Sequence, residues 1–153
     1  MKLRPNRPAY ERLSDRQAED AAVQQFLSGF ENAYYSKLGP LYPCDFAIIS
    51  DGGEVQRWIE VKSRTCRSDF YPTLDISLAK ILKLKELHDA TRLPTHLLIQ
   101  YTDRIVAFSD FSSIHNYQIK IAGRKDRGDP MDVEPMLSIP VTAFAPLRCG
   151  VIV

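Results

Sequence analysis

The chain has few cysteines, no long apolar run and almost no net charge. Each of these features argues against particular classes of protein. Its three cysteines are odd in number and lack any Cys-X-X-Cys pair, which fits reduced thiols better than a disulfide framework or a zinc site. No stretch approaches the roughly 20 apolar residues of a membrane span, and the first residues lack the apolar segment of a signal peptide. We therefore expect a cytoplasmic protein with no membrane partner.

Neither the net charge nor the histidine content by itself indicates a function. The formal net charge of +1 gives no global attraction to nucleic acid, so any phosphate contact must come from local basic patches. Basic residues do cluster near the N-terminus, over residues 57–67 and over residues 80–85, although a solvated face explains such clusters equally well. The three histidines show no metal-ligand spacing, and we expect them on the surface or in the core.

The length and apolar content predict a single domain. With 153 residues and 44% hydrophobic content, the chain can bury one core. Prolines and charges over residues 1–13 predict a flexible basic arm, and a helix with Ser14 as its N-cap is expected to follow. We expect the core over residues 14–108 and a C-terminal extension over residues 109–153.

A tight hairpin is the clearest local feature of the sequence. Two apolar-rich runs are separated by Gly52 and Gly53. A two-residue hairpin turn needs positive φ angles, which glycine adopts without strain. With these glycines as the turn, Asp51 faces Glu54, and the register of the whole hairpin follows.

That register places two acidic residues together. Counting back along both strands puts Asp45 directly opposite Glu60 on one sheet face, where Cβ atoms lie about 4.5–5.5 Å apart. Two carboxylates so close repel each other, and a divalent cation would offset the repulsion. Lys62, two residues beyond Glu60, shares that face because side chains alternate along a strand.

This arrangement resembles the PD-(D/E)XK nuclease superfamily, in small phage-type or resolvase-like form. The family pattern is an Asp after a Pro at the start of one strand, then Glu/Asp-X-Lys on the next. Here Pro43, Asp45, Glu60 and Lys62 match, with Cys44 interposed. An ordinary charged strand end is the alternative, because Asp followed by Glu-X-Lys also occurs by chance.

The predicted order of elements agrees with the resemblance. After the first helix and the hairpin we expect an extended segment over 70–76, a helix over 77–91 and strands over 95–101 and 105–108. The continuous apolar run in the 95–101 strand is typical of a strand covered on both faces. The resemblance implies an α/β fold with a restriction-endonuclease-like αβββαβ core, in which helices flank a central mixed sheet.

The resemblance also implies roles for individual residues. Asp45, Glu60 and the backbone carbonyl of Val61 would hold Mg²⁺ or Mn²⁺, and Lys62 would hold the attacking water or the phosphate. Glu19 is the candidate for the family's acidic residue on the first helix, with Asp15 and Asp20 as competitors; an exposed helix charge is equally credible.

On the second helix, residues spaced by three share a face, and the resemblance implies that a Lys on this helix contacts the DNA backbone. Ser77, Lys80 and Lys83 have this spacing, with Lys80 as the first choice, and Arg64 lies beside the site in sequence. A solvent-exposed lysine row would have the same spacing. The segment 123–135 is dense in charge and turn residues and is expected to be a surface loop, followed by an edge or surface-packed strand from Met136.

These expectations combine into a Mg²⁺- or Mn²⁺-dependent nuclease that hydrolyses DNA. A loose resemblance to small phage proteins in the stretch from Gly123 to Asp129 points to a phage or a mobile element. A resolvase-like activity would imply a homodimer, because cutting two strands of a junction needs two sites. A catalytically inactive binding module with the same fold is the alternative, and a purely structural protein is a third.

Overall fold

We analysed a computed structural model, which describes residues 13–123, 126, 128–148 and 151–152. Its two α-helices are α1 (Leu13–Leu27) and α2 (Leu78–Thr91). The described strands are β1 (Ala33–Lys37), β2 (Phe46–Ser50), β3 (Val55–Ser63), β4 (Thr73–Ser77), β5 (Thr95–Gln100), β6 (Ile105–Phe108), β7 (Gln118–Gly123), β8 (Val133–Pro140), β9 (Ala145–Arg148) and β10 (Val151–Ile152). In this part of the chain, neither helix has the length and apolar character needed to cross a membrane.

The central sheet is mixed, as predicted. Seven strands lie in the order β1-β2-β3-β5-β6-β9-β10, with β3 and β5 parallel and the other neighbours antiparallel. Residues 95–99 of β5 are all buried, which confirms the strand covered on both faces. The α/β fold class with helices flanking a mixed sheet is therefore confirmed.

Each face of the central sheet has its own apolar core. Phe26 of α1 packs in one core with Ile59 of β3 and other buried side chains. Ile81 and Leu84 of α2 pack in the other core with Leu97 of β5. Because β3 and β5 contribute to the middle of the sheet, functional groups at their ends are held between two packed layers.

One strand of the αβββαβ core was assigned wrongly from the sequence. The segment expected at 70–76 corresponds to β4, which belongs to a separate sheet of order β4-β8-β7. The missing core strand is β1, which pairs antiparallel with β2. The sequence obscures β1 because its five residues, Ala-Tyr-Tyr-Ser-Lys, are mostly polar or exposed.

The C-terminal residues are built into the fold. β9 pairs with β6 and extends the central sheet, and Phe111, Leu137 and Phe144 lie in the α2-side core. β8 was expected to be an edge or surface-packed strand, but it is the central strand of the smaller sheet. Its Pro140 is tolerated because it is the final residue of the strand, where a missing N–H breaks little of the ladder.

The start of the fold differs slightly from the prediction. α1 begins at Leu13, so Ser14 lies within the helix rather than at its N-cap. Residues 1–12 of the expected arm lie outside the described residues, as do Cys149 and three residues of the 123–129 stretch.

Candidate active site

The hairpin that carries the site has a three-residue turn, not the predicted two-residue turn. Ser50 N–H donates to the Glu54 carbonyl over 2.9 Å, and Gly53 N–H donates to the Ser50 carbonyl over 2.9 Å. Gly53 has φ +81°, in the left-handed region. A left-handed glycine at the last position of a three-residue turn is a common hairpin connection.

A second irregularity restores the predicted register. The β2–β3 ladder shifts by one residue between Ile48 and Ile49, as a β-bulge does. Beyond the bulge, Phe46 pairs with Ile59, and Asp45 and Glu60 are the next residues outward on the two strands. The longer turn and the bulge each shift the strand pairing by one residue, and the two shifts cancel. Asp45 and Glu60 therefore lie opposite each other, as predicted, although the predicted turn length was wrong.

Asp45 closes the hairpin with its side chain. The backbone N–H of Asp45 donates to the Ile59 carbonyl over 3.1 Å. Its Oδ2 then accepts the N–H of Val61 over 2.9 Å. The other oxygen, Oδ1, lies 3.8 Å from Lys37 Nζ. The carboxylate is thus fixed in orientation by the strand that carries Glu60.

The carbonyl of Val61 points toward the same space. In a strand, the N–H and C=O of one residue project to the same side, and the Val61 N–H reaches Asp45 on the β2 side. Since β2 begins only at Phe46, the Val61 carbonyl faces the region where backbone pairing with β2 has ended. This region is where the Asp45 carboxylate lies.

Glu60 is a buried carboxylate with one unsatisfied oxygen. Only 1% of the residue is exposed. Its Oε1 lies 3.3 Å from Lys62 Nζ and 3.2 Å from Lys80 Nζ, whereas its Oε2 is buried and has no hydrogen-bond partner. Burial raises the pKa of Glu60 above its ordinary value; Lys62 opposes the rise, Asp45 adds to it, and Lys80 opposes it.

Glu19 of α1 also reaches this region. Its Oε2 lies 2.8 Å from Lys37 Nζ, so Lys37 stands between Glu19 and Asp45. Of the two competing acidic residues, Asp15 lines the same cavity as Glu19 and Asp20 does not. Sequence reasoning missed Lys37 because its strand, β1, was not recognised.

The predicted DNA-contacting residues occupy different places. Lys80 is brought to the site, where it pairs with Glu60 and donates to the Pro43 carbonyl over 3.2 Å. Ser77 is the N-cap of α2, and its hydroxyl accepts the N–H of Lys80 over 3.4 Å. Lys83 is exposed and does not line the cavity that holds the acidic residues.

Arg64 closes one side of the site. Its guanidinium donates to the carbonyls of Ser63, over 3.0 Å, and Asp75, over 3.3 Å. Burial lowers the pKa of Arg64, although a guanidinium remains charged at neutral pH. The side chain is therefore a fixed positive charge beside the cavity.

The acidic and basic groups share one open cavity of about 860 Å³. Its charged lining residues are Asp15, Arg16, Glu19, Lys37, Asp45, Lys62, Arg64 and Lys80. Positive groups surround the carboxylates, which is the charge distribution expected of a site that binds an anion beside a cation. Glu60, fully buried, lies beneath Lys62 and Lys80 rather than on the surface of the cavity.

Cys44 lies beside Asp45 and Glu60, and its thiol is buried and protonated. Its thiol is buried and points to the Phe46 carbonyl at 3.6 Å. Burial raises the pKa of Cys44 to about 12, with Glu60 and Asp45 adding to the effect. This raised pKa keeps the thiol protonated at neutral pH.

The donor set fits a divalent cation. Among the described residues, no group of three or more His, Cys, Asp or Glu side chains is arranged to hold a metal ion. The available set consists instead of two carboxylates and one backbone carbonyl, which are hard oxygen donors of the kind Mg²⁺ and Mn²⁺ accept. The unpartnered Glu60 Oε2 is a buried acceptor that such an ion would satisfy.

The fold and this constellation together define a PD-(D/E)XK nuclease. Residues 5–147 match the family described as "Phage putative PDDEXK endonuclease". The chain belongs to that family, as the spacing of Asp45, Glu60 and Lys62 predicts, and the match covers both helices and nearly all of the described strands.

A solved structure supports the fold. The chain resembles Hjc, a Holliday junction resolvase from Archaeoglobus fulgidus, with a TM-score of 0.50 and 14% sequence identity over 84% of this chain and 88% of that one. At this identity the likeness concerns the fold alone. None of the curated proteins matches the chain.

Proposed function

We propose that the protein is a Mg²⁺- or Mn²⁺-dependent deoxyribonuclease that hydrolyses DNA phosphodiester bonds at the Asp45–Glu60 site. The observation that carries the proposal is the unpartnered Oε2 of Glu60, a fully buried oxygen at the level of the hairpin where Asp45 also lies. A buried acceptor without a partner costs free energy, and a bound cation would remove that cost. Family membership supplies the nuclease class.

The metal-holding residues would be Asp45, Glu60 and the Val61 carbonyl. When bound, a divalent ion would polarise a phosphoryl oxygen and activate a water near neutral pH. The hydrogen bond from Val61 N–H keeps the Asp45 carboxylate oriented before any ion arrives. Glu19, held by Lys37 at 2.8 Å, would accept hydrogen bonds from water in the same cavity.

Lys62 would carry the catalytic positive charge. Its side chain is 38% exposed at the cavity while its ammonium stays 3.3 Å from Glu60 Oε1. An ammonium held there stabilises negative charge that develops on the phosphate and needs no rearrangement to do so. Lys80, on the same Glu60 oxygen, would position that carboxylate and add to the attraction of the cavity for phosphate.

The remaining predicted contacts would lie along the DNA backbone. We place Arg64 against phosphate at one side of the cavity and Lys83 farther along α2, on flanking DNA. Ser77 would act mainly through the N-cap that holds the start of α2 at the site. For a phage nuclease, the place of action would be the cytoplasm of the host cell.

A cleavage panel tests the proposal. Labelled linear, flap, fork and four-way DNA would be incubated with the protein in Mg²⁺, Mn²⁺ or EDTA. The proposal predicts cleavage of at least one DNA with either metal and none in EDTA. DNA binding without cleavage in any metal would instead favour the inactive binding module, and cleavage in EDTA would contradict metal dependence.

A further inference from the structure

Two exposed aromatic side chains lie on the loop that leaves the active-site strand. Phe70 and Tyr71 follow β3 within the 64–72 loop, and 67% and 60% of their surfaces are exposed. Their ring centroids are 4.7 Å apart, with the planes at 81°. Adjacent aromatics kept in water are unusual on a protein surface and mark binding sites.

The loop is fixed in place by hydrogen bonds to the β5–β6 turn. The N–H and hydroxyl of Ser68 donate to the two carboxylate oxygens of Asp103 over 2.8 and 2.7 Å. Thr102 N–H donates to the Cys66 carbonyl over 3.1 Å. The aromatic pair is therefore presented from an anchored support, which lowers the entropic cost of binding.

A second cavity lies beside this pair and adjoins the active site. Its volume is about 390 Å³, and Tyr71 and Tyr101 contribute aromatic walls. Arg64 lines both this cavity and the active-site cavity. A volume in the range of small-molecule pockets can admit one nucleotide-sized group, whereas a paired base cannot enter without leaving the duplex.

The rim of the second cavity is basic. Arg67 is exposed and pairs with the exposed Asp69 at 3.2 Å, and Lys120 lies 3.1 Å from Asp75 Oδ2 while 42% of its side chain remains exposed. Together with Arg64 they bring positive charge to an aromatic surface. Aromatic rings beside cationic side chains are the combination that binds single-stranded nucleic acid, because bases stack while phosphates are neutralised.

We propose that this cleft binds an unpaired base of the DNA, stacked on Tyr71, while the adjoining phosphate lies at the Asp45–Glu60 site. The preferred substrate class is then DNA with unpaired nucleotides next to the cleavage position, such as a bulge, gap or flap. The position of the cleaved bond rests on the proposed function; the binding of the unpaired base does not.

The test measures base stacking in EDTA, where cleavage plays no part. Duplexes of one sequence would carry 2-aminopurine either in a single-nucleotide bulge or paired with thymine, and fluorescence and affinity would be recorded. Wild type is expected to quench the bulged probe. Tyr71→Ala is expected to abolish the quenching and weaken affinity for bulged DNA roughly 5- to 150-fold, leaving paired DNA unaffected.

Two further variants make the result specific. Tyr71→Phe keeps the ring and should behave as wild type. Tyr34→Ala removes a tyrosine of similar exposure, 54%, from β1 and should also behave as wild type. Unchanged quenching in Tyr71→Ala, or an equal loss of affinity for bulged and paired DNA, would overturn the proposal.

The outcome is separable from that of the proposed function. Stacking by a protein that cleaves no DNA would uphold the unpaired-base site and contradict the nuclease assignment of this chain. Conversely, both wild type and Tyr71→Ala could cleave bulged and paired DNA at the same rate. That result would uphold the proposed nuclease function and overturn the preference for unpaired nucleotides.

Discussion

The Val61 N–H donates to Asp45 Oδ2 over 2.9 Å at the level of the hairpin where backbone pairing ends. One carboxylate oxygen thus completes the sheet and leaves the other directed toward Lys37 at 3.8 Å. Asp45 therefore has a structural and a chemical role, which matters for mutagenesis. Asn keeps an oxygen for the Val61 N–H and removes the charge, so Asp45→Asn separates the two roles better than Asp45→Ala.

The hairpin turn gives a prediction on stability. Gly53 has φ +81°, and Gly52 does not lie in the positive-φ region. Gly53→Ala should lower the free energy of unfolding by about 1–2 kcal/mol, the cost of a left-handed alanine. Gly52→Ala should be nearly neutral, since a Cβ there would meet only Ser50 Oγ, at 3.9 Å. Urea denaturation of both variants checks this; equal losses would favour a turn that needs both glycines.

The sequence predicted the Asp45–Glu60 register for an incomplete reason. A glycine pair signals a hairpin, but turn length depends on backbone angles that differ between Gly52 and Gly53. The bulge lies on β3, where Gln56 is left unpaired between Arg57 and Val55, and no residue type in the sequence marks it, so its compensation could not be foreseen. The predicted pairing of Asp45 with Glu60 was correct because the error in turn length and the unforeseen bulge cancel.

His96 gives a prediction on pH dependence. Its buried ring lies 3.0 Å from Arg57 Nη1 through Nε2 and 2.6 Å from Ser109 Oγ through Nδ1. Arginine can only donate, so Nε2 accepts and Nδ1 carries the proton. Burial, with Arg57 and His88 adding to it, lowers the pKa of His96 from 6.5 to about 4.

Because the folded pKa is depressed, the folded state favours neutral His96. Its contribution to stability is complete above pH 6.5 and should be lost as pH falls toward 4, by roughly 3 kcal/mol. Urea denaturation from pH 7 to 4.5 would show a smaller loss for His96→Gln than for wild type. His115→Gln, at an exposed histidine, is the control and should follow wild type; parallel curves for all three proteins would contradict the assignment.

Lys62 separates metal binding from catalysis. Lys62→Ala should lower turnover on the order of 10²–10³-fold, the usual effect of losing one preorganised donor. Mn²⁺ affinity should persist or rise, because one of the two ammonium groups on Glu60 Oε1 is removed. Calorimetric titration of Mn²⁺ beside a cleavage assay checks both parts.

The exposed Lys83 on α2 supplies the matched control for Lys62. With DNA saturating, so that a weakened contact to flanking DNA does not limit the rate, Lys83→Ala should keep both metal affinity and turnover near those of wild type, since its side chain lies outside the cavity lining. Full turnover in Lys62→Ala would remove Lys62 from the chemistry. Loss of metal binding together with turnover would mean that Lys62 supports the structure of the site.

The site was only partly predictable because several of its contacts depend on tertiary packing. Helical spacing suggested that Lys80 shares a face with Ser77, but its contact with Glu60 arises from the packing of α2 against the sheet. Lys37 had no signal, since it ends a short exposed strand. Arg64 lines both cavities because its guanidinium contacts β4. This contact could not be predicted, since the sequence analysis assigned β4 to the central sheet.

The central claim is that Asp45 and Glu60 hold the ion that cleaves DNA. Single-turnover cleavage with saturating protein and Mg²⁺, for wild type, Asp45→Asn and Glu60→Gln, tests it most directly, with thermal melting to show that each variant is folded. Loss of a charged ligand removes several kcal/mol of transition-state stabilisation, so each rate should fall at least about 10³-fold. A folded Asp45→Asn or Glu60→Gln that cleaves at the wild-type rate would contradict the account.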